Sequence, residues 1–215
     1  MNVVSSTSEG IIKEQNKVLK NTFIMVGLQF ATAAAAGVIA TMFALPPVHW
    51  IIFLVGFYGL SFLVEKNRYS MTGFFCALAA AGLLGYASGP LISLYLAVKP
   101  DAVFMALAMT GLSMFGLALY ATTTKKDLSV FGGLMSIAFW VIIGGVVLNI
   151  FMGSSLIALA LSGAIAAFSG LAIMMVLQSV IRGGETSYVS ASLTIFVGIY
   201  NIFMFFLHIF GGGDD

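Results

Sequence analysis

The chain has 215 residues, of which 60% are hydrophobic and only 8% are charged, and its formal net charge is +1. Soluble domains carry about 25% charged residues, so this composition excludes an ordinary water-soluble globule and indicates a protein whose main solvent is lipid. The near-zero net charge excludes the basic surface that nucleic-acid binding requires. Cys76, the only cysteine, lies in an apolar run, which excludes an internal disulfide and a multi-cysteine metal site.

Residues 1–20 are polar, and we expect them to form a cytoplasmic N-terminal tail. They lack the short apolar core and small-residue cleavage site of a secretory signal. Two structures fit this segment: a short amphipathic helix over residues 11–19 at the membrane surface, or a mobile tail.

The remaining chain, residues 21–215, predicts an all-α integral membrane domain of seven transmembrane helices. A helix needs about 20 residues to cross a hydrocarbon core about 30 Å thick. On that basis the spans are expected at residues 22–44, 48–64, 71–97, 102–123, 128–151, 155–181 and 188–210. In the third span Gly85 and Gly89 precede Pro90. This pattern predicts either close helix packing or a bend that opens a cavity.

The basic residues predict the orientation, because cytoplasmic loops are enriched in Lys and Arg. With a cytoplasmic N-terminus, eight basic residues lie on the cytoplasmic side and only Lys99 lies on the other. The eight are Lys13, Lys17, Lys20, Lys66, Arg68, Lys125, Lys126 and Arg182. This topology places the C-terminal GGGDD sequence outside the cytoplasm.

Every charged residue falls in a loop, in a terminal segment or at a helix end. Intramembrane proteases of the aspartyl type and most ion-coupled carriers need a carboxylate or a cation within a span. The HExxH motif of zinc proteases is also absent, and His49 and His208 are too few for a metal site. We therefore expect no enzyme activity, no metal and no cofactor.

The last span carries a stripe of small and polar residues spaced three, four and seven positions apart. The stripe consists of Ser190, Thr194, Gly198, Asn201 and His208. Because lipid offers such a stripe no partners, we expect the last helix either to be packed inside the bundle or to lie beside a water-filled cavity. Asn201 is expected either to form an interhelical hydrogen bond or to line a pore. His208 is either a pH sensor or an interfacial anchor.

Other neutral polar residues fall within the spans or near their ends, and they are further candidates for core or pore contacts: Gln29, Asn149 and Gln178.

Two charged loops are expected at the cytoplasmic face. In the first, Lys125 and Lys126 face the cytoplasm and Asp127 lies near the start of the fifth helix. In the second, Gly183 and Gly184 end the sixth helix in a left-handed turn, Thr186 or Ser187 caps the last helix, and Arg182 is placed to pair with Glu185. With Glu65 and Arg68, these charges either form a docking surface or fix the depth of the helices.

Several stretches of the chain resemble the Bax inhibitor-1 family, and within it the YccA branch of proteobacterial inner membranes. They are KVLKNTF at 17–23, GFYGLSFL at 56–63, GYASGPLISLYL at 85–96, TKKDLSVFGG at 124–133, VVLNIF at 146–151 and the region 181–211. The resemblance implies seven helices with the last one central. It also implies two activities: engagement and modulation of the membrane AAA protease FtsH, or a pH-sensitive calcium leak.

The leak activity of the family depends on a pair of carboxylates on the sixth and seventh helices, which an arginine at the end of the second helix holds. Two close carboxylates share a proton and can sense pH. In this chain the corresponding positions are Val176 and Gly198, and the arginine falls within residues 65–68. The resemblance therefore implies that a leak, if present, lacks the acidic pH-sensing pair.

Overall fold

The computed structural model describes residues 2–212, with side chains for residue 10 and for residues 12–212. This part of the chain is helical and contains no β-strand. Its helices are α1 Asn2–Met42, α2 Trp50–Lys66, α3 Met71–Val98, α4 Pro100–Thr123, α5 Gly132–Met152, α6 Ser155–Ile181 and α7 Tyr188–Gly211. A short 3₁₀-helix, Leu128–Phe131, precedes α5.

The ends of the helices follow from local chemistry. Pro100 opens α4, where its missing N–H costs nothing. Gly153 ends α5 with a left-handed φ of 61°, and Gly183 follows α6 with a φ of 78°. Ser187 is the cap of α7, because its hydroxyl accepts the backbone N–H of Ser190 at 3.2 Å. From α2 onward, helix bounds agree with the predicted spans to within a few residues.

The N-terminal segment is helical, as in one of the two structures expected for it, but the helix extends well beyond residues 11–19. The backbone of residues 2–20 is helical and runs into the first span without a break, so α1 has 41 residues. Lys13, Glu14, Gln15 and Lys17 are good helix formers and no proline interrupts them. The predicted boundary near residue 21 was therefore wrong for the backbone, and Met1 lies outside the described residues.

Six of the helices described are long and apolar enough to cross a membrane. They are α1 from Ile12 onward, α3, α4, the segment Leu128–Met152, α6 and α7. The seventh, α2, has 17 residues and a length of about 25 Å at 1.5 Å per residue, the lower limit for a span. The all-α membrane fold is confirmed, whereas a seventh crossing stays a prediction.

Packing divides the chain into two compact units, where the sequence predicted one membrane domain. The first contains residues up to Leu94 together with Ser179–Phe196. Within it, α1 and α3 approach so closely that a Cβ on Gly85 would overlap the backbone of Ala33, and one on Gly89 would overlap that of Gly37. Pro90 lies within the continuous helix α3, so the glycines serve close packing, one of the two predicted alternatives.

The second unit contains residues Tyr95–Gln178 and the chain from Val197 onward. Glycines again bring side chains of neighbouring helices together: Gly163 lies against Phe205, Gly145 against Leu161 and Gly170 against Leu117. All α5 side chains are described, and none is buried. Its apolar side chains are exposed or half-buried along the whole helix, as expected for a helix that faces lipid.

The last helix is buried in both units. Val189, Ala191, Ile195 and Phe196 are at most 1% exposed in the first unit, and Leu207 is 1% exposed in the second. This burial agrees with the expectation that α7 packs against other helices rather than lipid. Its central position in the whole bundle stays a prediction.

Candidate functional site

Arg68, in the loop between α2 and α3, holds two carboxylates at once. Its guanidinium donates to Glu65, one turn earlier, and to Oε1 of Glu185 at 2.6 Å. Glu185 lies 117 residues away in the loop before α7, and its side chain is only 14% exposed. We call Glu65, Arg68, Glu185, Ser187 and Ser190 the Arg68 cluster.

Serine groups complete the Arg68 cluster. The Ser187 hydroxyl donates to the backbone carbonyl of Arg68 at 2.7 Å, and the Ser187 N–H donates to Glu185 Oε1 at 2.7 Å. The Ser190 hydroxyl donates to Glu65 Oε2 at 2.7 Å. Both carboxylates are thus held by Arg68 and by donors around the start of α7. The cluster ties the α2–α3 loop to the α6–α7 loop.

The hydrogen bonds of the Arg68 cluster change the acidity of Glu65. The Ser190 hydroxyl bond lowers the pKa of the Glu65 carboxyl from its ordinary value of 4.5. Partial burial raises this pKa, but the hydrogen bond and charge of Arg68 lower it further, and the net shift is downward. Glu65 is therefore more firmly ionised than a free glutamate.

The contacts of the Arg68 cluster differ from one predicted ion pair, and they show which residue at positions 65–68 binds carboxylates. We expected Glu185 beside Arg182, but its partner in the structure is Arg68. Arg182 lies exposed on the other side of the glycine turn, because the left-handed Gly183 redirects the chain between the two residues. Of the charged residues at 65–68, Arg68 is the one that holds carboxylates, and they come from positions other than Val176 and Gly198.

Gly198 lies against α6. A Cβ at this position would meet Ile173 at 2.7 Å and the carbonyl oxygen of Ser169 at 3.3 Å. Any side chain at position 198 therefore requires the Ile173 side chain to shift. Val176 is half-buried on α6. Gly198 thus lies in a packing contact between α7 and α6 within the second unit.

Asn201 has an interhelical partner. Its amide donates to the hydroxyl of Ser169 on α6 at 2.9 Å, as expected for the structural alternative. A mostly apolar cavity of about 550 Å³ opens beside this pair, lined in part by Gly170, Ile202 and Phe205. Asn201 itself is not among the residues that line the cavity.

Two other candidate polar residues anchor loops. The Gln178 side chain accepts from Leu128 N at 2.8 Å and donates to the Lys126 carbonyl at 2.9 Å, which fixes the α4–α5 loop against α6. Asn149 accepts from Ser154 N at 3.2 Å and closes the α5–α6 turn. Both residues therefore have structural partners at helix ends.

The remaining members of the stripe on α7 do not share one environment. The Thr194 hydroxyl donates to the carbonyl of Ser190 in its own helix, and His208 is exposed near the C-terminal end. Lys125 and Lys126 are exposed in the loop before α5. Within the described residues, no group of three His, Cys, Asp or Glu side chains lies close enough to hold a metal ion.

The sequence matches the family model described as Bax1-I, inhibitor of apoptosis-promoting Bax1, over residues 15–215. The chain belongs to the Bax1-I family. A relative in Escherichia coli K12 named modulator of FtsH protease YccA is 37% identical over 210 residues, 97% of this chain and 96% of the relative. The same values hold for a relative in Escherichia coli O6:H1 named inner membrane protein YccA.

An uncharacterized protein of Pseudomonas aeruginosa is another relative, 36% identical over 94% of this chain and 93% of its own length. These full-length matches and the six apolar helices identify a multi-pass Bax1-I protein of the bacterial inner membrane. The family description names an inhibitor and one relative's name describes a modulator. Neither name describes an enzyme.

Proposed function

We propose that this protein is a membrane regulator that binds the AAA protease FtsH and modulates its action on other membrane proteins. The observation that carries the proposal is the match to the FtsH modulator of Escherichia coli, which covers 97% of this chain and 96% of that relative. Because nearly every residue of one chain has a counterpart in the other, no separate domain distinguishes the two proteins.

The distribution of charge supports a role in binding rather than transport or catalysis. Charged residues lie at helix ends and in loops, where a protein partner can reach them. On the N-terminal part of α1, Lys13, Glu14 and Lys17 are exposed. An AAA motor needs an accessible segment to engage, and we assign that role to residues 2–20.

Co-purification from native membranes tests the proposal. The full chain with a C-terminal tag is expected to enrich FtsH and to slow the degradation of a second FtsH substrate in the same cells. Deletion of residues 2–9 leaves the candidate span from Ile12 intact and is expected to weaken both effects. Absence of FtsH enrichment with the full chain would overturn the proposal.

The charged loop before α5 provides the matched control for the deletion. Replacement of Lys125 and Lys126 by Gln removes two exposed charges in another predicted cytoplasmic loop. We expect this variant to retain FtsH binding. If it loses binding while the deletion variant keeps it, residues 2–9 are not the segment that the protease engages.

A second candidate function is a cation leak without acid gating. The cavity of about 550 Å³ lined by residues of α4, α6 and α7 favours it, and the Asn201–Ser169 pair adjoins this cavity without lining it. Purified protein in liposomes that contain a calcium dye is expected to admit calcium slowly, with no increase at acid pH, since Val176 and Gly198 cannot titrate. Asn201→Leu should change the rate. No leak from the native chain would remove this candidate.

A further inference from the structure

Gln29 lies on the buried face of α1. Thr22, Met25, Val26 and Gln29 recur at the three- and four-residue spacing of one helix face, and all four are buried. The Gln29 side chain has no exposed surface. It lies 13 residues before Met42, the end of the candidate span, or about 20 Å along the helix axis. Gln29 therefore lies well inside the candidate span, at least about 20 Å from either end.

Neither end of the Gln29 amide has a hydrogen-bond partner among the described residues. Other buried polar side chains of the first unit do have one: Thr22 donates to the Val18 carbonyl, Ser88 to the Leu84 carbonyl and Ser192 to the Val189 carbonyl. A buried polar group without a partner costs roughly 1–3 kcal/mol. Lipid cannot supply the missing bonds.

The missing partner must both donate and accept. Gln29 offers a carbonyl oxygen and an NH₂ group. A metal ion would need several oxygen ligands, and no cluster of acidic or histidine side chains exists in the described part of the chain. Water is the smallest molecule that satisfies both groups, and buried waters in proteins commonly serve buried polar atoms in this way.

We propose that the first unit binds internal water at Gln29, within the hydrocarbon depth of the membrane. This site is independent of FtsH binding, since it lies on the buried face of α1. It gives the buried face of α1 a hydrated polar group on the same helix face as the apolar Met25 and Val26. The side chain of Gln29 is then fully hydrogen-bonded in the native protein.

Radiolytic footprinting of the full chain in lipid nanodiscs tests the proposal, because hydroxyl radicals formed from bound water oxidise adjacent methionines. Met25, one turn before Gln29, is 1% exposed and is the reporter. Met105 and Met109 on α4 are 53% and 37% exposed and lie within a candidate membrane span, and they are the internal controls. We expect Met25 to oxidise at least several-fold faster than either control.

Gln29→Leu removes the carbonyl oxygen and the NH₂ group and replaces them with an apolar side chain of similar size. In this variant Met25 oxidation is expected to fall to the level of Met105 and Met109, whose own rates stay unchanged. Equal oxidation of the three methionines in the native chain would overturn the proposal, and this comparison needs no variant. Rapid Met25 oxidation that persists in Gln29→Leu would also overturn it, because that result indicates local opening rather than bound water.

Discussion

Arg68 is the residue on which the contacts between the α2–α3 loop and the α6–α7 loop depend. Arg68→Met leaves Glu185, which is 14% exposed, without its cationic partner. A charged group left in this way costs about 1–3 kcal/mol. Thermal unfolding in detergent should therefore show clear destabilisation. Lys66→Met is the control, since it removes an exposed charge from the same end of α2 and should change stability by less than about 0.5 kcal/mol.

The loss of stability in Arg68→Met should come mainly from the Glu185 carboxylate, which no longer has a cationic partner. Glu185→Gln in the Arg68→Met background removes that charge and is expected to recover part of the lost stability. Equal unfolding temperatures for Arg68→Met and Lys66→Met would contradict the role given to the Arg68 cluster.

Because of Glu65, the stability of the first unit is expected to decrease at low pH. In the folded protein the pKa of the Glu65 carboxyl lies below the ordinary value of 4.5. The ionised carboxyl therefore makes its full contribution to the free energy of unfolding above pH 4.5. The contribution is lost as pH falls through the lowered folded pKa. Unfolding temperature should thus decrease between about pH 6 and pH 3, and Glu65→Gln should make this decrease shallower. An unchanged slope in the variant would contradict the assignment.

The α1–α3 contact depends on glycine at defined positions. Gly85→Ala places a methyl group on the backbone of Ala33, which no side-chain rotation can relieve. Overpacking of this kind typically costs about 1–3 kcal/mol. Gly82→Ala, one turn earlier in α3, meets Thr32 only at 3.6 Å and should be neutral or slightly stabilising, because alanine favours helix. Thermal unfolding of both variants distinguishes specific packing from general loss of a glycine.

The helices could be predicted well because their signal is local. A run of about 20 apolar residues bounded by charges, glycine or proline predicts a span wherever it occurs, and α3 to α7 followed it closely. The same logic left two structures open for residues 2–20, a short amphipathic helix or a mobile tail, and missed the length of the helix. Their polarity suggested a tail, although polar residues such as Lys, Glu and Gln propagate a helix as well as leucine does.

The candidate site could be predicted only in part. Arg68 and Glu185 were identified as charged residues of the same face, but their pairing joins positions 117 residues apart, and no local pattern encodes it. Gln178 was predicted among core polar residues, yet it binds the backbone of a loop. For Gly198 the reverse holds. The family resemblance predicted that an acid is missing at this position, but no sequence pattern predicted that Gly198 lies against Ile173.

Over the whole chain, charge and apolar surface are segregated along the membrane normal that the spans imply. The charged residues collect at helix ends and in loops, while α5 exposes apolar side chains along its full length. This arrangement suits a regulator of another membrane protein, because binding at the ends requires no charged path through the core.

The number of crossings decides on which side of the membrane those ends lie. If α2 crosses, eight basic residues are cytoplasmic and one is not. If α2 does not cross, Lys13, Lys17, Lys20 and Lys99 share one side and the other five basic residues share the opposite side. The first distribution obeys the positive-inside rule and the second does not. We therefore expect seven crossings despite the short α2.

A reporter fused after Asp215 separates the two topologies. With a cytoplasmic N-terminus, seven crossings place the C-terminus outside the cytoplasm, whereas six return it to the cytoplasm. Alkaline phosphatase, which is active only outside, should be active at this position, and a fluorescent protein that folds only in the cytoplasm should be dark. The same pair inserted after Lys126 should give the reverse result, because that loop follows an even number of crossings. A fluorescent C-terminal fusion would show that α2 lies within one side of the membrane and would move the Arg68 cluster out of the cytoplasm.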